Sequence, residues 1–262
     1  MKTAAGHGRL ALVLHQARFD LRGFIRNRQA RFFTLALPLI FLFIFTGIFG
    51  SDTVDGVPLK EVYVPGISAM AVIAASFINL VISITVLREE GILKRRRATP
   101  VPAWVLIAGR TVMAIAVAAT SVILLLLVGR FVFHVHMPVR NIPGFALTAV
   151  VGVITFCVLG YAFSTAIANE DAAQPMVQAV MLPLYFISGI FIAPSTLPSW
   201  LRNIAKVFPV QHLAHGLQRA FQPATSGIGI EWGDLGAMAI WAAIGVVIAL
   251  RRFSWLPKAA TG

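Results

Sequence analysis

The chain has a single cysteine, Cys157, set inside an apolar run. That excludes a disulfide framework and any metal site built on a set of cysteines. Charge is scarce too: 12% of the 262 residues are Asp, Glu, Lys or Arg, against 58% hydrophobic, and the mean hydropathy is +0.83. A soluble domain carries roughly 25% charged residues. A core of this size cannot hide so much apolar surface, so lipid is the expected solvent for the surplus. No G-x-x-x-x-G-K-[ST] sequence occurs, so the chain has no phosphate loop of its own, and energy for pumping must come from another protein. No G-x-S-x-G elbow occurs, which removes local support for a hydrolase. The pairs His134/His136 and His212/His215 have no cysteine or close carboxylate to complete a metal set, and read as solvated or hydrogen-bonded surface groups.

What is present is a series of six uncharged apolar runs. They predict an all-α membrane protein with spans at 32–50, 65–87, 105–129, 142–168, 173–192 and 233–251, since a span needs about 20 residues. With no internal repeat or linker, residues 1–262 read as one transmembrane domain. Ahead of the spans, residues 8–26 predict an amphipathic helix lying in the interface. Leu10, Leu14, Ala17, Leu21, Phe24 and Ile25 share a face, and Arg18, Arg22 and Arg26 form a polar stripe beside it. The basic first 31 residues contain no short apolar segment ending in a cleavage site, so no signal peptide is expected.

The fifth run holds Pro175, Pro183, Pro194 and Pro198, and proline breaks helix interiors. The span is therefore expected to stop near Ile192. Residues 195–221 then predict an external re-entrant helical hairpin, marked by Pro194, Pro198, Trp200 and Pro209, with Val210, Leu213, Leu217 and Phe221 on one face.

The net charge of +12 suggests nucleic acid until its distribution is read. Sixteen of the 22 basic residues fall in segments that are cytoplasmic if the N-terminus is inside, and six (Lys60, Arg130, Arg140, Arg202, Lys206, Arg219) fall outside. That asymmetry predicts both termini in the cytoplasm of a bacterial inner-membrane protein that meets lipid headgroups rather than nucleic acid.

No Asp, Glu, Lys or Arg lies in the middle of a predicted span, which argues against a proton-coupled transporter or a charge-ringed channel. Asn79 is the main polar exception, either a bond between helices or a cargo contact. Phe156, Tyr161, Phe163, Tyr185 and Phe186 are the other candidates for a cargo path. Gly160, Ser164 and Ala168, four apart, allow close helix approach within the chain or between two copies.

The loop between the second and third spans is Arg88-Glu89-Glu90-Gly91-Ile92-Leu93-Lys94-Arg95-Arg96-Arg97-Ala98-Thr99-Pro100. On composition it is a topology-fixing basic loop. Its order Arg-Glu-Glu-Gly-x-Leu-x-Arg-x-x-x-Thr-Pro nonetheless resembles the cytoplasmic loop of the ABC-type-2 permease family. Tyr63-Val64-Pro65-Gly66-Ile67 and Gly189-Ile190-Phe191-Ile192-Ala193-Pro194 are similar to the same family's motifs, and the daunorubicin-resistance type of drug-export permease is the nearest pattern. Ile92 and Arg96 depart from it, where the family often has Thr and Leu.

The resemblance implies a permease dimer, of two copies or two different chains, docked on two ATPase subunits that carry the ATP and Mg. This chain would then hold no cofactor, metal or catalytic residue. Arg88, Glu89, Glu90, Gly91, Leu93, Lys94, Arg95, Arg96, Thr99 and Pro100 would form the ATPase-coupling loop, and the cargo exported would be drug-like or lipid-like. A glycan-exporting permease, a non-transporting membrane scaffold and a lipid-modifying enzyme are the rival expectations.

Overall fold

The computed structural model describes residues 4–54, 56–92, 103–137, 139–222 and 228–252. Among them, nine helices follow in order: α1 (Ala4–Arg26), α2 (Arg28–Phe49), α3 (Leu59–Glu89), α4 (Ala103–Phe131), α5 (Ile142–Ser164), α6 (Glu170–Ile187), α7 (Ser199–Ala205), α8 (Pro209–Phe221) and α9 (Trp232–Arg252). A two-residue hairpin, β1 (Thr53–Val54) against β2 (Val57–Pro58), closes the α2–α3 connection and turns at Gly56. Five helices, α2, α3, α4, α5 and α9, are long and apolar enough to cross a membrane. The fifth expected span is a helix, α6, but its 18 residues open on Glu170 and Asp171 and it is not among the five.

α3 is the hub. It is apolar all round, and 72% of its most apolar window is buried, against 22% in α2 and 17% in α9. A helix buried on every side needs partners on every side, and α2, α4, α5, α6 and α8 all pack on it. α9 leans mainly on α5, where Gly245 lets the chain approach Val158 and Leu159. Gly160 of the small-residue stripe faces Phe77 and Leu80 of α3, so its close approach is made within the chain.

Several expected boundaries and faces shift. α3 begins at Leu59 rather than 65 and carries Pro65 inside it, where the missing N–H leaves one carbonyl, that of Glu61, without its helical donor. α5 stops at Ser164 rather than 168: the hydroxyls of Ser164 and Thr165 turn back onto Tyr161 and Ala162 carbonyls. α6 runs from Glu170 to Ile187 rather than 173–192, with the Asn169 side chain capping its start. Its end is set by Gly189 at φ +83°, a left-handed conformation that stops the helix at little cost for glycine. On α1, the face packed against α4 is Val13, Ala17, Asp20 and Phe24, while Leu10, Leu14 and Ile25 of the predicted face are exposed. The reason is Gly109 of α4, which admits Gln16 and Ala17 so closely that this edge of α1 takes the contact.

Candidate functional site

Two helices depart from α geometry at the same level of the bundle. In α2 the turn Phe32–Ala36 is π-helical, with the Leu37 N–H reaching back to Phe32 O, and in α3 the turn Ala74–Ile78 is π-helical, with the Asn79 N–H reaching Ala74 O. The two turns touch. Pro38 explains part of the first: it has no N–H to aim at the Thr34 carbonyl, and Ser121 Oγ of α4 donates to that carbonyl at 3.1 Å. π turns widen a helix locally and recur at functional positions.

Beside these turns lies a cavity of about 290 Å³ bounded by α1, α2, α3, α4 and Gln174 of α6. Phe24, Phe33, Ala74, Ile78 and Met113 make its walls apolar, while Asp20, Asn79, Ser83 and Arg110 bring polar groups to it. The Asp20 and Arg110 side chains are 6% and 9% exposed, with Arg110 Nε 4.0 Å from Asp20 Oδ2. At that distance the pair attracts by charge without a hydrogen bond, and Arg110 Nη1 donates instead to Ser83 Oγ. Asp20 Oδ2 is left buried with no donor, and Asn79 Nδ2 buried with no acceptor. Both are costly in a dry site, because a buried polar atom without a partner loses its hydration for nothing.

A second cavity of about 330 Å³ continues from the first, sharing Phe33, Ala74, Ile78 and Gln174, and runs between α2, α3 and α6 past Leu37, Phe41, Met70 and Tyr185. A polar chamber thus opens into an apolar slot. The dimensions match those of pockets for drug-sized molecules, about 300–1,000 Å³.

At the end of the bundle nearest this chamber, Arg88 is buried and donates to the Ser164 and Ile167 carbonyls at 2.9 and 2.6 Å. It thereby satisfies carbonyls that the end of α5 leaves open, where a cation is also favoured by the helix dipole. The Glu89 carboxylate accepts from the Glu170 N–H and caps α6. Two members of the predicted coupling loop are therefore tied inside the chain. Glu90 is exposed and Gly91 adopts φ +68° after the helix, while Leu93, Lys94, Arg95, Arg96, Thr99 and Pro100 lie outside the described residues. Arg18, Arg22 and Arg26 are all exposed on α1.

At the opposite end, Pro194 starts a short turn, Pro198 precedes α7, Trp200 is exposed and Pro209 opens α8. Val210, Leu213, Leu217 and Phe221 of α8 are buried. His212 Nδ1 and His215 Nδ1 lie 2.8 and 2.7 Å from the two carboxylate oxygens of Asp234 on α9. The carboxylate that the histidines lack in sequence is thus supplied by the next helix, as a hydrogen-bonding partner. His212 is held protonated to higher pH than usual, first by the bond to Asp234, with its burial opposing, and then by the Asp234 charge and the Lys206 carbonyl. Among the described residues no group of three His, Cys, Asp or Glu side chains is disposed to hold a metal ion.

Of the residues named for a cargo path, Asn79 lines the first cavity and Tyr185 the second. Phe156 and Tyr161 belong to the core, Phe163 is half-buried against Phe77 at 5.4 Å, and Phe186 is exposed beside Phe191. Sequence reasoning missed Asp20, Ser83, Arg110 and Asp234. Asp20 did leave a signal: it is the one acidic residue of a basic helix, three after Ala17 and four before Phe24 on the face that packs.

Residues 14–221 match the protein family described as ABC-2 type transporter. Among curated proteins, the chain is similar to the daunorubicin resistance ABC transporter permease protein DrrB1 of Streptomyces coeruleorubidus, 27% identical over 68% of this chain and 63% of the relative. It is similar also to the probable multidrug ABC transporter permease YbhR of Escherichia coli (strain K12), 23% identical over 69% of this chain and 49% of the relative. A third relative, the inner membrane transport permease YadH of the same strain, is 25% identical over 72% of this chain and 75% of its own length. The chain thus spans between about half and two thirds of the length of the first two.

Proposed function

Because the chain belongs to the ABC-2 type transporter family, we propose that it is the permease subunit of an exporter, moving a hydrophobic or amphipathic cargo outward while a separate subunit hydrolyses ATP. The observation that carries this reading is the polar chamber at the two π turns opening into an apolar slot along α2, α3 and α6. A cargo with a polar head and an apolar body fits that order of surfaces. The relatives named for daunorubicin resistance and multidrug transport favour a drug-like or lipid-like molecule.

In this reading the chain crosses a bacterial inner membrane six times, with α6 as the fifth span, α1 on the cytoplasmic surface and both termini inside. The sixteen-to-six division of basic residues supports that orientation. α7 and α8 form the external re-entrant segment. Two ATPase subunits, holding ATP and Mg, dock on the loop after Glu89, and a second permease, a copy or a different chain, completes the pathway. Since Arg88 and Glu89 tie α3 to the α5–α6 turn, a push on the loop is passed to α6, the wall of the slot.

The test is to look for a Walker-motif ATPase in the adjacent reading frame and to reconstitute the chain with it. Co-purification, cargo-stimulated ATP hydrolysis and outward transport that vanishes with a hydrolysis-dead ATPase are expected. Failure to hold any ATPase, with no transport, overturns the reading.

A further inference from the structure

The chamber's unsatisfied atoms define a ligand more narrowly than its size does. Asp20 lines the cavity, and its Oδ2 is a buried carboxylate oxygen without a donor, on a side chain 6% exposed. Asn79 Nδ2 is an amide donor without an acceptor on the same cavity. A buried carboxylate oxygen of this kind calls for an N–H or O–H, and a charge-assisted bond is the stronger. Arg110 makes no such call. Its Nη1 is spent on Ser83 Oγ and its Nε faces Asp20. Beyond the chamber, the slot offers only apolar walls and the Gln174, Gln178 and Tyr185 side chains.

We propose that this chamber is a headgroup site for lipophilic primary amines. The ammonium donates to Asp20 Oδ2, and Gln174, at the junction of the two cavities, offers a second acceptor to one of its remaining N–H groups. A hydroxyl or carbonyl near the amine accepts from Asn79 Nδ2. The apolar body passes between the π turns, over Phe33, Ala74 and Ile78, into the slot beside Phe41 and Met70. Arg110 stands beside Asp20 without saturating it, since a separation of 4.0 Å leaves the oxygen free to bond. An anionic head in the same place would face the Asp20 carboxylate, which repels it. This names the cargo class of the exporter reading and rests on it.

The experiment uses the full chain in lipid nanodiscs with three photoactivatable probes of one alkyl length, carrying the same mid-chain diazirine and ending in a primary amine, a hydroxyl or a sulfate. The amine is expected to label peptides from α1 and from Ala74–Val86, with unlabelled dodecylamine competing, and to do so about tenfold or more above the other two. Equal labelling by all three, or stronger labelling by the sulfate, overturns the proposal.

Asp20→Asn alone leaves the buried Arg110 without its carboxylate, so the paired variant D20N/R110Q is used to keep the site neutral. In a chain of normal melting temperature it is expected to lose the amine preference, and a retained preference sinks the role of Asp20. Asn79→Leu is expected to weaken labelling by an amino alcohol probe while sparing a simple amine, and equal loss of both counts against the second contact. If the reconstituted complex exports other cargo while amine labelling is absent, the site fails and the exporter stands. If Asp20-dependent amine labelling is present and nothing is transported, the site stands and the exporter reading fails.

Discussion

Ser121 Oγ on α4 donates to the backbone carbonyl of Thr34 on α2, 87 residues away in the chain, at 3.1 Å. Four residues beyond Thr34 stands Pro38, which has no N–H for the carbonyl an α-helix would pair with it. In water the solvent would satisfy that oxygen. Inside lipid it must find a donor in the protein, and a serine from the neighbouring helix supplies one. The proline opens the turn that walls the chamber, and the serine makes that opening tolerable.

Replacing Ser121 with Ala is therefore expected to destabilise the chain by about 1 kcal/mol, the net worth of a buried hydrogen bond. Thermal melting in mild detergent measures it. In a Pro38→Ala background the helix recovers its own donor, so the same replacement should cost much less, and the double-mutant cycle isolates the coupling. Equal losses in both backgrounds would show that Ser121 serves packing alone.

The loop after α3 divides into an anchor and a contact. Glu89 and Glu90 are both exposed, but Glu89 accepts from the Glu170 N–H and caps α6. Glu89→Ala should lower stability by about 0.5–2 kcal/mol, as lost helix caps do, together with coupling. Glu90→Lys should leave the melting temperature unchanged while abolishing cargo-stimulated ATP hydrolysis in the reconstituted complex. Wild-type hydrolysis by Glu90→Lys would remove the loop from the ATPase interface.

The apolar runs were legible because lipid imposes a composition rule on any segment of about 20 residues that crosses it. The α8 face was legible for a similar reason: Val210, Leu213, Leu217 and Phe221 follow helical spacing and are buried. The chamber was not. Neither Phe-Phe-Thr-Leu-Ala nor Ala-Ala-Ser-Phe-Ile carries a signal for a π turn, since the widening depends on what packs across from it. The α1 face was legible in part: Ala17 and Phe24 are buried, but Leu10 and Leu14 outrank Val13 in hydrophobicity, while Gly109 on another helix decides which edge can approach. Asp234 is 22 residues from His212 in sequence, and the chain must fold before the two meet.

That meeting gives a pH dependence. His212 has its pKa raised in the folded chain by the bond to Asp234, so its stabilising contribution is full below the unfolded value of about 6.5 and is lost as pH rises through the folded value. The melting temperature of the wild type should exceed that of His212→Asn most near pH 6, and the gap should narrow toward pH 8.5. Asn keeps a donor near the Nδ1 position, so the comparison reads charge more than hydrogen bonding. A gap that widens with pH would mean that neutral His212 makes the stabilising contact.

The reading of α6 as a span is open to direct test. Its 18 residues reach roughly 27 Å at 1.5 Å per residue, close to the ~30 Å hydrocarbon core. Glu170 and Asp171 sit in its first turn, where the helix dipole favours them and headgroups can hydrate them. Met176, Val180, Leu182 and Phe186 are exposed, an apolar face suited to lipid or to a second permease. With Cys157 replaced by Ala, single cysteines at Asp171 and Ser195 can be probed with a membrane-impermeant maleimide in intact cells. Ser195→Cys should label at once, and Asp171→Cys only after the membrane is permeabilised. Labelling of both from one side would mean that α6 enters and leaves by the same face. The chain would then cross five times, the two termini would lie on opposite sides, and α9 would run from the cytoplasm outward, carrying Arg251 and Arg252 against the charge rule that places the remaining basic segments inside.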